Sequence, residues 1–223
     1  MNQRKIYYSF HDVPLKKNHI SPAFDRQAKI SFSKSEIIHI IIAIAVLTIS
    51  FAFAFADNPP LLHLDSVLGR LPLSFLAILT AFVCHEMAHK FVGQKFGYWS
   101  EFRMYPTGLL LAFFLAIFTG FVFAAPGAVQ IYGMPTREES GKMALAGPLT
   151  NLIIALIFLV ITFGSTFRIG ELFFFIAYIN IFLAFFNLLP FGPMDGLKIF
   201  SWKKEVWVGM IILCGILFFL SVS

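Results

Sequence analysis

Charge is what this sequence has least of. Asp, Glu, Lys and Arg make up 13% of its 223 residues, about half the roughly 25% of a soluble domain. With 58% hydrophobic residues, 29 Phe and a mean hydropathy of +0.81, that scarcity excludes a disordered chain and an ordinary cytosolic enzyme. Cysteine is almost absent too. Cys84 and Cys214 lie far apart inside apolar stretches, which excludes a secreted disulfide scaffold. No cleavable signal pattern is visible, because residues 1–35 are polar and precede the first apolar run. The net charge of +5 is not gathered on a soluble face, so it does not mark a nucleic-acid-binding protein. Arg4, Lys5, Lys16, Lys17, Arg26, Lys29 and Lys34 instead crowd the polar N-terminal tail, as expected of a cytoplasmic flank.

What the chain has in abundance is apolar runs. Residues 37–56, 108–125, 143–163, 172–191 and 206–222 are long and free of charge, and 71–92 is apolar until its last turn and a half. Each approaches the roughly 20 helical residues that cross a bilayer core. Ser33 and Glu36 are spaced as a capping box at the start of the first run. Basic residues test which runs cross. If 108–125 spanned, Arg137, Lys142, Lys198, Lys203 and Lys204 would fall outside; if it turned back, every main basic cluster would lie inside. Gly120 and the Pro126-Gly127 pair beside Ala125, followed by the strand-like Val129-Gln130-Ile131-Tyr132, permit a return. The expectation is an all-α polytopic membrane protein with five or six transmembrane helices. A re-entrant or β-like segment is expected between the second span and the helix carrying Gly147. A cytoplasmic tail over 1–35 would precede one membrane domain over 36–223.

Against this background the few polar residues inside the runs stand out. His85-Glu86-Met87-Ala88-His89 reads H-E-x-x-H. On a helix, positions i and i+4 face one way, so both imidazoles can meet one zinc ion, and Glu86 can take a proton from a nearby water. A run of ionisable groups near the end of a span is costly and marks a site. A catalytic zinc needs a third protein ligand. His11 and His19 lie in the tail and His63 in an outer loop; His39 begins the first span and reads as a helix residue. Asp195 is the stronger candidate. It follows Asn187-Leu188-Leu189-Pro190 and Gly192-Pro193, where the helix must open, with Gly196 relieving backbone crowding. Asn187 offers an amide for a substrate carbonyl or oxyanion.

H-E-x-x-H on one span and N-x-x-P-x-x-x-x-D-G at the end of a later one resemble the site-2 protease family of intramembrane zinc metalloproteases. Gly147-Pro148-Leu149-Thr150-Asn151 resembles that family's G-P-x-x-N element. The resemblance covers about residues 71–200. It implies zinc held by His85, His89 and Asp195, with Glu86 as general base and Asn187 as a substrate or oxyanion contact. Asn151 would be a lesser substrate contact or a packing residue. It further implies hydrolysis of a transmembrane protein substrate in or beside the bilayer, with the active site toward the cytoplasm. A catalytically silent scaffold of the same fold is one alternative. A zinc transporter is another, although the spans outside this cluster offer only His39.

Overall fold

A computed structural model describes residues 30–57, 60–122 and 126–222. Most of the polar tail, with His11 and His19, and Ala125 of the expected return lie outside the described residues. Among the described residues, five helices are long and apolar enough to cross a membrane. They are α1 (Lys34–Ala54), a continuous helix over Leu64–Lys95, α5 (Arg137–Phe163), α6 (Phe167–Asn187) and α8 (Lys204–Val222). The second comprises α2 (Leu64–Ile78), a π-helical turn (Leu79–Val83) and α3 (Cys84–Lys95). It starts earlier than the apolar run did, with Asp65 favouring the N-terminal end, and it carries Pro72 in its interior.

The run at 108–125 does not make a sixth span. It forms α4 (Pro106–Thr119), whose 14 residues rise about 21 Å, well short of a bilayer core. Gly120, with φ of +68°, ends it in the left-handed region that glycine adopts freely. Strands β1 (Trp99–Met104) and β2 (Gly127–Tyr132) flank α4 and pair antiparallel, Phe102 opposite Val129. The chain therefore leaves and returns to one place, as the charge distribution required. A short helix, α7 (Asp195–Trp202), follows the break after α6.

The packing is that of a membrane protein. Without a hydrophobic drive between helices in lipid, close approach depends on small residues. Ala43, Ala52, Ala77, Ala112, Ala116, Ala155, Ala177 and Ala184 are all fully buried at helix contacts. Phe118, Phe163, Ile212 and Phe219 point outward instead. The main core joins α5, α6, α7 and α8 around Leu152, Ile181, Leu188 and Ile199; a second joins α1, α4, β1 and the π turn around Leu47, Ile78, Phe102 and Leu109. The expected capping box is half present. Ser33 accepts from the Glu36 N–H, but the Glu36 carboxylate turns inward instead of back to the cap.

Candidate metal centre

His85 and His89 lie one turn apart on α3, their rings nearly perpendicular with centroids 4.6 Å apart. Their orientation follows from a chain of buried amides. Asn180 donates from Nδ2 to the Ile176 carbonyl (2.9 Å) and to Thr80 Oγ1 (3.2 Å), leaving its Oδ1 to accept from Asn151 Nδ2 at 2.9 Å. Asn151 Nδ2 also donates to the Ala81 carbonyl in the π turn, at 2.8 Å. Asn151 Oδ1 must therefore accept the His85 Nδ1 proton, 2.5 Å away. His89 Nδ1 likewise donates to the Met143 carbonyl at 2.7 Å.

Both ring protons are thus placed on Nδ1, and both Nε2 lone pairs face inward. The Nε2 atoms are 2.9 Å apart, and lie 3.3 Å (His85) and 2.9 Å (His89) from Asp195 Oδ2. Three buried groups, each offering one ligand atom, converge within 4.8 Å of one another. Such a group is favourable around a cation, and two imidazoles plus a carboxylate are a donor set that suits zinc. Backbone proximity completes the enclosure. A Cβ on Gly147 of α5 would overlap both imidazoles, and one on Gly196 would overlap the Leu188 carbonyl, so these glycines let α5 and α7 close on the site. The opening of the chain before Asp195 occurs as expected, with Gly192 at φ +61°.

A cavity of about 700 Å³ opens onto this group. His85, Glu86, His89, Asn187 and Asp195 line it, together with Tyr105, Val129, Ile131 and Lys198. The Val129 N–H on β2 donates to Glu86 Oε2 at 3.1 Å. Asn187 Nδ2 donates to the Leu183 carbonyl at 3.0 Å while its side chain faces the cavity. All four strongest sequence candidates, with Asn187, therefore meet at one place. Asn151 does not contact the cavity. Fully buried, with its amide bonded to His85, Ala81 and Asn180, it orients a histidine. His39 stays outside the cluster. Sequence reasoning missed Asn180, Lys198 and the Val129 amide. An amide in the middle of the uncharged 172–187 stretch was a usable signal for Asn180. Lys198, one turn after Asp195 and 3.7 Å from its Oδ1, was signalled by helical spacing alone. Nothing in the sequence marked a backbone N–H.

Fold and site together define a multi-pass membrane protein with a two-histidine, one-carboxylate metal centre. Known proteins agree. The profile of Peptidase family M50 matches residues 164–212. "Putative zinc metalloprotease MJ0611" of Methanocaldococcus jannaschii is 44% identical over 140 residues, covering 60% of this chain and 72% of its own. "Putative zinc metalloprotease YwhC" of Bacillus subtilis is 32% identical over 151 residues, covering 59% of this chain and 69% of its own. No solved structure matches the chain. The chain belongs to Peptidase family M50, in keeping with the site-2 protease resemblance.

Proposed function

We propose that this protein is a zinc metalloendopeptidase that hydrolyses peptide bonds of other membrane proteins within or just beside the bilayer. In this reading His85, His89 and Asp195 hold zinc, Glu86 is the general base, and Asn187 contacts the substrate backbone. The observation that carries it is the convergence of three buried metal-ligating side chains beside the Glu86 carboxylate on one cavity. The names of the two relatives support the metal and the reaction class. Bound zinc supplies Lewis-acid polarisation of the scissile carbonyl and of an attacking water. The protein's own residues do the rest. Glu86 is anchored through Oε2 by the Val129 N–H, so Oε1 is left to accept a proton and return it to the leaving amine. Asn187 keeps a second Nδ2 proton beyond its bond to Leu183 with which to donate to a substrate carbonyl or oxyanion.

The substrate inferred is a single span of another protein. A helix hides its carbonyls in i to i−4 bonds, so the target segment unwinds before attack. The outer edge of β2 faces the cavity through Val129 and Ile131 and offers backbone partners for an unwound segment by strand addition. The basic loops support a cytoplasmic N-terminus and a site opening toward the cytoplasm. The test is Glu86→Gln, assayed on a library of tagged single-span reporter proteins. Cleavage present with the unmodified protein should vanish while zinc content stays the same. Continued hydrolysis by the variant would rule out this role for Glu86.

A further inference from the structure

The helix that carries the two histidines also carries Lys90, fully buried and unused by the chemistry above. Its Nζ donates to Glu36 Oε2 at 2.8 Å and to the Ser100 carbonyl at 2.8 Å, and lies 4.5 Å above the Phe32 ring. Glu36, also fully buried, accepts the Phe102 N–H through Oε1 at 3.0 Å. Gln94 adds a third contact, donating to Ser100 O at 3.4 Å while its amide pairs both ways with the backbone of Ser31 (3.2 and 3.0 Å). Burying an ion pair costs much of what it gains. A pair kept here, beside the catalytic helix turn, calls for a reason beyond stability.

The sheet register supplies one. In an antiparallel pair, alternate residues turn their N–H and C=O toward the partner strand and away from it. Ser100 and Phe102 turn theirs away from β2, and these are the groups that Lys90 and Glu36 take up. An ammonium on the carbonyl and a carboxylate on the amide reproduce what a neighbouring strand would supply. Directly opposite Phe102 is Val129, whose own N–H points off the far edge onto Glu86. One edge of the two-stranded sheet is thus fixed by an ion pair, and the other meets the proposed general base.

We propose that Glu36 and Lys90 are positioning residues for hydrolysis: they stand in for a third strand on β1 and so set the height of β2, and with it the Val129 N–H, against Glu86. The proposal rests on the reading of Glu86 as proton acceptor. It also ties α1 to the active site through side chains that touch neither metal nor cavity.

Two double variants test it. The exchange Glu36→Lys with Lys90→Glu keeps an ion pair but reverses both backbone contacts, since an ammonium cannot accept from Phe102 and a carboxylate cannot donate to Ser100. The neutral pair Glu36→Gln with Lys90→Met removes both charges together, which buried pairs tolerate better than loss of one partner. In each, zinc content should match the unmodified protein and amides of residues 99–104 and 127–132 should exchange at least about tenfold faster. Cleavage of a single-span reporter should lose about tenfold or more in kcat, with KM within about threefold, since small misplacements cost that much. Full kcat in either variant, or unchanged hairpin exchange, would overturn the proposal. In the unmodified protein, the Phe102 amide should exchange as slowly as those of Glu101 and Arg103; open-edge exchange there would overturn it independently. Failure of the unmodified protein to cut any reporter would instead sink the proteolysis reading, while the exchange measurements would still decide the clamp.

Discussion

Single residues decide whether the centre holds a metal. The side chain of Asn151 has four hydrogen-bonding positions, and the structure engages its amide with His85, Ala81 and Asn180. Its contribution is orientation, since the His85 ring can present Nε2 to a metal only while Nδ1 keeps its acceptor. Asn151→Ala should weaken zinc binding by about 10- to 100-fold without unfolding the protein, as measured by competition with a chelator. Unchanged affinity would mean that packing alone holds the ring. The proposed ligands and Glu86 were legible in the sequence because ionisable residues are rare in the spans and these four fall within reach of one depth. The orienting role of Asn151 was not legible. Its place in a G-P-x-x-N element says that the residue matters without saying which neighbour it serves, and that depends on Asn180 across the helix pair.

Among the elements, the hairpin of β1 and β2 around α4 matters most for function. Charge counting indicated that 108–132 turns back, and the shortness of α4 with the pairing of its flanking strands gives the physical form of that return. The sequence could not show that the second strand brings a backbone N–H to Glu86. A main-chain group leaves no residue signature, and the π turn that sets the phase of α3 has none either. Val129 offers a clean test. Its N–H faces Glu86, not β1, so Val129→Pro removes that hydrogen bond without removing a ladder bond. Cleavage of a single-span reporter should fall by about tenfold or more while zinc content is kept. A fully active variant would show that Glu86 needs no anchor.

For the molecule as a whole, five spans place the two chain ends of the described region on opposite faces of the membrane. On the proposed topology, with a cytoplasmic N-terminus, the outer face would hold Asp65 and the turn after α5, and the inner face Lys95, Arg137 and Lys203. Single cysteines introduced at Asp65 and at Lys203, in a background where Cys84 and Cys214 are Ser, should react with a membrane-impermeant thiol reagent from opposite sides of sealed vesicles. Labelling of both from one side would contradict the topology and the cytoplasmic opening of the site. The central claim, however, is the metal centre, and zinc analysis combined with X-ray absorption at the zinc edge tests it most directly. One zinc per chain, with two imidazole nitrogens and oxygen neighbours at about 2.0–2.2 Å, is the expected result, lost in the Asp195→Ala variant. No bound zinc in the purified protein, or a shell containing sulfur from Cys84, would contradict it.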